Sequence, residues 1–276
     1  MKTKTYVITG ASSGIGNALV QKLAENNNVI FAGYRNSSQE AKLKSISTNI
    51  YPFYVDFVKP ETIKNAYEYI LSKSTKLDTL INIAGCVVAG PVEKLNIDEI
   101  RRQFNVNVFG HIELTQGLIP VLGNGKIINV SSMASFGIFP FISPYCASKR
   151  CLDMFYNSLM IENKKNIKVI SVKPGVIATP LWGKSVEENS KYFDKFGDYS
   201  DEMKYVIANA RKNETKGLPA QKVVDVIIKA DRSENPKLSY TVGCDAFFAG
   251  LVSKLPQGLI NKIVKLGMKM KVKGVK

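Results

Sequence analysis

Histidine is almost missing from this chain: His111 is the only one in 276 residues. A serine–histidine triad or a histidine-built metal centre is therefore not expected, and no metal is. Cysteine is sparse too. Cys86, Cys146, Cys151 and Cys244 show neither CxxC nor zinc-ligand spacing, so the expectation is reduced thiols in a cytoplasmic protein. No apolar run approaches the ~18 residues that cross a bilayer, and no leader-like stretch precedes the first strand pattern at Thr5-Tyr6-Val7-Ile8. Without internal repeats or low-complexity linkers, one large α/β domain is the expected organisation. Acid is scarce, with 23 Asp and Glu against 38 Lys and Arg and a net charge of +15. No acid follows Asp245, whereas seven lysines do, so close to half of the excess sits in the tail. The basic residues are not interleaved with aromatics and form no DNA-reading motif, so nucleic acid is not an expected partner.

What is present begins with a glycine-rich turn. The short apolar strand Tyr6-Val7-Ile8 runs into Thr9-Gly10-Ala11-Ser12-Ser13-Gly14-Ile15-Gly16, and a helical pattern follows through Leu19, Val20 and Leu23. Such a turn allows a tight bend, brings backbone close to a pyrophosphate and lets the helix pack on the sheet. The helix N-terminus adds amide donors and partial positive charge. The spacing is Gly-x-x-x-Gly-x-Gly rather than Gly-x-Gly-x-x-Gly.

The next strand, Val29 to Gly33, lacks something in its turn. An NAD site usually places an acid about ~20 residues past the glycines to grip the ribose hydroxyls. Here Tyr34, Arg35, Asn36, Ser37 and Ser38 occupy that place. Without the carboxylate a 2′-phosphate is not repelled, and Arg35 can pair with it, so NADP is expected in preference to NAD. The alternative is a merely solvated Arg35. Further strands are expected at Ile50–Val55, Thr79–Asn82, Lys126–Val130 and Ile167–Val172, separated by helical patterns that include a long one from Asn96 to about Ile119. This alternation, with near-continuously apolar strands, predicts a parallel sheet covered on both faces.

Tyr145 and Lys149 stand four apart behind Pro144, with Leu152, Phe155 and Leu159 at helical spacing after them. Both would lie on one helix face. A tyrosine ordinarily titrates near ~10, and a neighbouring ammonium favours the phenolate. A phenol tuned in this way can give a proton to a carbonyl oxygen or take one from an alcohol. Taken alone, the spacing is common and also fits a surface lysine beside a half-buried tyrosine.

In order along the chain, Thr9–Gly16, Asn82-Ile83-Ala84-Gly85, Asn107, Ser132, the Tyr145/Lys149 pair and Pro174–Thr179 resemble the short-chain dehydrogenase/reductase family. The later chain is most similar to its hydroxysteroid and retinol dehydrogenase-like branch. The resemblance is close over residues 3 to 180 and looser beyond. It implies a single-domain Rossmann-type fold, a doubly wound parallel β-sheet with helices on both faces. It also implies an NADP-dependent oxidoreductase that interconverts an alcohol with a ketone or aldehyde. Tyr145 would be the acid–base, Lys149 would lower its pKa and bind the nicotinamide ribose, and Ser132 would hold the substrate oxygen. Asn107 would kink its helix and position a relay water. Gly10, Ser12, Ser13, Gly14, Ile15 and Gly16 would line the pyrophosphate and adenosine ribose, with Arg35 at the 2′-phosphate and Asp56 at the adenine. Asn82, Ala84 and Gly85 would line the adenosine side, and Ile177 and Thr179 would hold the carboxamide. Ile83 departs from the usual second Asn and is expected to support the sheet.

On the substrate side, Trp182 and an aromatic stretch with Phe193, Phe196, Tyr199, Met203 and Tyr205 are expected to form a lid at about 180–215 within a catalytic domain of residues 1–242. Val87, Val88 and Phe141 are candidate lining. An apolar steroid-, retinoid- or lipid-like substrate is expected. The alternatives are a small polar or β-ketoacyl substrate and, in another class, a non-catalytic NADP-binding regulator. Residues 243–276 read as a basic helical extension, with Leu259, Ile260, Ile263 and Val264 on one face and Lys262, Lys265 and Lys269 elsewhere. It would either lie on an anionic membrane surface or cap the fold. The resemblance implies a homodimer or homotetramer.

Overall fold

The first strand, β1 (Thr5–Ile8), is buried from Tyr6 onward, and its side chains alternate between two cores. Tyr6 and Ile8 face one side of the sheet and Val7 the other. The same alternation splits Ile30 from Phe31, Ile81 from Leu80, Ile128 from Ile127 and Ile170 from Val169. Only a sheet with helices on both faces buries strands in this way. The computed structural model describes residues 3–273.

From β1 the chain passes through α1 (Gly14–Ala24), β2 (Val29–Tyr34), α2 (Ser38–Lys44), β3 (Ile50–Tyr54), α3 (Pro60–Lys73) and β4 (Thr79–Asn82). It continues through α4 (Ile97–Phe104), a π-helical segment Asn105–Phe109, α5 (Gly110–Leu122), β5 (Lys126–Val130), α6 (Ser143–Glu162) and β6 (Lys168–Pro174). The strand pair β7 (Ile177–Ala178) and β8 (Leu218–Pro219) brackets α7 (Leu181–Phe193), a 3-10 stretch Asp194–Tyr199 and α8 (Ser200–Lys216). Then come α9 (Ala220–Arg232), β9 (Ser239–Val242), α10 (Cys244–Val252) and α11 (Gln257–Lys273). The main sheet has seven strands in the order β3-β2-β1-β4-β5-β6-β9, all parallel. Chain direction through the sheet reverses between β1 and β4. A crevice opens there at the carboxyl ends of the strands, the place where doubly wound sheets receive ligands.

Leu19, Val20 and Leu23 of α1 and Val223, Val224 and Ile227 of α9 cover one face. Helices α3, α5 and α6 cover the other through Ile63, Ile70, Leu114, Leu118, Leu152 and Tyr156. The long helix expected from Asn96 is broken into three parts. Asn96 caps it, accepting from the Asp98 amide at 2.8 Å, and the π segment interrupts it around Asn107. Phe155, which recurs at helical spacing with Leu152, is 48% exposed, and Met154 beside it is exposed too. Only Leu152 of that spacing is fully buried, with Leu159 partly so.

Asp231, near the end of α9, ties down the amino ends of the central strands β1 and β4. Its buried carboxylate accepts from Tyr6 Oη at 2.8 Å and Thr79 Oγ1 at 2.6 Å, and pairs with Lys4 at 2.8 Å. Asp231→Ala leaves two buried hydroxyls and an ammonium without their acceptor. It should cost about 3 kcal/mol of stability, read as a lower urea midpoint at unchanged slope.

Candidate active site

The crevice is a cleft of about 500 Å³. At its head, Gly10 adopts φ +66°, and a Cβ there would meet the backbone nitrogen of Ala84 at 2.8 Å. The turn after β1 and the segment after β4 therefore touch backbone to backbone. Gly16 packs as tightly, since a Cβ on it would stand 2.1 Å from the Gly10 carbonyl oxygen. Ser13, the N-cap of α1, makes no side-chain capping bond, which leaves the first-turn amides open toward the cleft.

Of the residues singled out in the sequence, Gly10, Ser12, Ser13, Gly14 and Ile15 line the cleft, as do Arg35, Asp56, Ala84 and Gly85. So do Ser132, Tyr145, Lys149, Ile177, Thr179 and Trp182. Three stand behind its wall. Gly16 is one. Asn82 is buried and donates to Asn129 Oδ1 at 2.8 Å and Tyr156 Oη at 2.9 Å, strapping β4 to β5 and α6. Asn107 accepts from the Cys86 amide at 2.9 Å and donates to the Cys86 carbonyl at 3.0 Å and Ser148 Oγ at 2.9 Å. Its side chain clamps backbone, and the extra residue per turn of the π segment lets it face that way. Ile83, expected only to support the sheet, lines the cleft as well.

At the floor, Tyr145, Ser132 and Lys149 converge. Tyr145 is 8% exposed. Burial pushes its pKa up to about 12, while a hydrogen bond with Ser132 pulls the other way. Lys149 Nζ donates to the Val130 carbonyl at 2.9 Å and lies 5.8 Å from the centre of the Tyr145 ring. Burial brings its own pKa down to about 8, and Asp153 opposes that shift. The phenol thus sits above the ordinary tyrosine value, not below it as the Lys149 spacing suggested. Loss of water around the phenolate outweighs the Ser132 hydrogen bond that favours it. Its proton is held firmly at neutral pH, which suits a donor.

At the other end, Arg35 Nη2 stands 3.7 Å from Glu188 Oε1 of α7, and Arg102 Nη1 stands 3.4 Å from Glu188 Oε2. No carboxylate follows the end of β2 within the cleft lining until Asp56. The expected aromatic lid is different in detail. Phe196 and Met203 are 2% exposed, and the Phe196 ring packs on Gly90. Neither they nor Phe193, Tyr199, Tyr205, Val88 and Phe141 line the cleft. The apolar wall comes from Val87, Met133, Phe139, Ile142, Leu181 and Trp182, and the Trp182 indole donates to the Ile177 carbonyl at 2.8 Å.

Sequence reasoning missed the side chains that hold this wall. Gln103 accepts from the Val88 amide at 2.8 Å and donates to the Cys86 carbonyl at 3.0 Å. Asn189 donates to the Val87 carbonyl at 2.9 Å and accepts from the Ala89 amide at 3.1 Å. His111, buried against Asn82 and Ala84, has its pKa lowered to about 3 by burial and is neutral. Among the described residues no cluster of His, Cys, Asp and Glu could hold a metal ion.

The family profile described as "short chain dehydrogenase" matches residues 4–190. An NADPH-dependent 3-dehydrocapnine reductase of Ornithobacterium rhinotracheale is 30% identical over 269 residues, covering 93% of this chain and 94% of that protein. A 3-ketodihydrosphingosine reductase of Bacteroides thetaiotaomicron is 28% identical over 274 residues, covering 96% and 98%. The crystal structure of a short-chain dehydrogenase from Streptomyces avermitilis superposes with a TM-score of 0.76 at 26% identity, covering 99% of this chain and 97% of that one.

Proposed function

The chain belongs to the short-chain dehydrogenase/reductase family, an oxidoreductase acting on CH–OH groups, and on that premise we propose that it is an NADP-dependent reductase of an apolar, lipid-like ketone. The observation that carries this reading is the meeting of Tyr145, Ser132 and Lys149 at the floor of a cleft whose head is built from close-packed glycines. The head fits a dinucleotide. It offers open amides at α1, backbone too close for side chains at Gly10, and Arg35 where a 2′-phosphate would fall. Ser12, Gly14 and Ile15 would hold the pyrophosphate end, Asp56, Ala84 and Gly85 the adenosine, and Ile177 and Thr179 the carboxamide. When bound, the dinucleotide supplies the hydride.

The chain's own residues do the rest. Ser132 Oγ donates to the substrate oxygen and steadies it as negative charge develops. Tyr145 Oη delivers its proton to that oxygen. The Lys149 ammonium, cationic below about pH 8, stabilises the phenolate left behind. The apolar wall from Val87 to Trp182 shields the carbonyl from water and favours a hydrocarbon-bearing substrate. A 3-keto group on a long chain is in line with the name of the Bacteroides relative. The exposed Phe109, Met154, Phe155 and Ile161 support a homo-oligomer that covers the outer face of the π segment and α6.

The test is an NADPH fluorescence titration followed by a turnover screen over 3-ketodihydrosphingosine, steroids, and small polar ketones. Binding of NADPH with turnover of the lipid-like ketones is expected. Turnover restricted to small polar ketones overturns the substrate class, and NADPH binding without turnover of any ketone overturns the catalytic reading.

A further inference from the structure

Helix α11 divides its surface into three strips. Ile260 and Val264 face inward, and the helix packs on α8 of the lid region. Leu259, Ile263, Leu266 and Met270 recur four, three and four residues apart, forming a single stripe along the helix. All four are exposed, Leu266 at 61% and Met270 at 63%. Lys262, Lys265 and Lys269 are exposed as well and fall in a row directly beside that stripe at the helical angle. In α9, by contrast, Val223, Val224 and Ile227 are fully buried. The preceding helix, α10, repeats the exposure with Phe247 at 56% and Phe248 at 62%.

We propose that α10 and α11 form a docking surface for an anionic lipid bilayer. A helix with one apolar stripe and an adjoining row of lysines can place its hydrocarbon at the headgroup boundary and its ammonium groups among lipid phosphates. Charge decides between this occupant and a second copy of the chain. No acidic residue follows Asp245, so pairing the stripe with itself would bring lysine rows together with no acid on either copy of α11 to meet them. An anionic leaflet supplies the opposite charge. The attachment lies on the bilayer rather than through it, since no helix among the described residues is long and apolar enough to cross. The surface also adjoins the cleft. Asp245 Oδ2 accepts from the amide of Val176, a cleft-lining residue, at 2.7 Å. The bilayer thus meets the protein beside the site that would take a lipid-like ketone.

The experiment is co-sedimentation of the full chain with phosphatidylcholine vesicles, with and without about 30% phosphatidylglycerol, at roughly 0.05 M and 0.5 M NaCl. Binding to the anionic vesicles at low salt is expected, with at least a tenfold loss at high salt and on neutral vesicles. Each lysine contributes roughly fivefold, so the combined K262E/K265E/K269E variant should lose on the order of a hundredfold or more. Leu266→Asp with Met270→Asp should abolish binding. NADPH titration of each variant reports that it is folded, and the lysine variant, altered only at solvated positions, keeps the test open if the stripe variant does not fold. Absence of binding to anionic vesicles overturns the proposal, as does equal binding to neutral ones. A stripe variant that splits an oligomer in a wild type without vesicle affinity assigns the surface to a second copy instead.

Discussion

Tyr145→Phe should lower ketone turnover by about 10³-fold or more while leaving NADPH affinity within a factor of two. The substitution removes one oxygen, and with it the phenolic proton that the proposed reaction delivers to the substrate. General acid catalysis of this kind is worth 10²–10⁴-fold, and phenylalanine keeps the ring that fills the space between Val87 and Ala134. The pH dependence of the wild type follows from the same residues. With the phenol pushed up to about 12, Tyr145 keeps its proton throughout the neutral range. Lys149, brought down to about 8, is charged below that value and neutral above it. Ketone reduction should therefore be level from about pH 6 to 7.5 and fall as pH rises through about 8, when the phenolate formed in the reaction loses its cation. Single-turnover rates measured across this range test the assignment. A Phe variant that still turns over, or a profile unaffected near pH 8, overturns it.

Arg35→Asp should weaken NADP binding by about a hundredfold and leave NAD binding unchanged or stronger. A charge-assisted pair between a guanidinium and a phosphate is worth roughly 1.5–3 kcal/mol, and the new carboxylate adds repulsion toward the 2′-phosphate. Glu188 refines the expectation. Its carboxylate pairs with both Arg35 and Arg102, so the 2′-phosphate must compete with it for Arg35. Glu188→Gln should then tighten NADP severalfold without altering NAD. Fluorescence titration of both cofactors against the three proteins reads the whole pattern. An Arg35→Asp protein with undiminished preference for NADP assigns the arginine to solvent.

The sheet and the glycine turn were legible in the sequence because both are local. Apolar strands of four to seven residues, interrupted by helices with one apolar face, leave few other folds, and Gly10 to Gly16 sit in seven consecutive residues. The Tyr145 and Lys149 pairing was legible for the same reason, since four residues make one helical turn. Its electrostatics were not. The spacing suggests an ammonium lowering a phenol, but the depth of the pocket, assembled from distant segments, raises the phenol instead. Which residues of the 180–215 stretch reach the cleft was not legible, because apolar residues on a helix carry no mark of what they face. Phe196 and Met203 are buried away from the cleft, Phe196 against Gly90, and the cleft is walled by Phe139, Leu181 and Trp182. Gln103 and Asn189 carry no sequence signal either. Each meets its backbone partners across 15 to 102 residues. A buried amide cannot be told from a solvated one until the chain is folded.

Three carboxamide side chains, from the π segment, α4 and α7, occupy the main-chain polar groups of residues 86–89 from opposite directions. That side of the cleft is consequently a fixed jaw, its shape decided before any ketone arrives. Selectivity between ketones should then answer to the side chains of Phe139, Ile142, Leu181 and Trp182, which line the same cleft and can be exchanged without removing any of those carboxamide bonds.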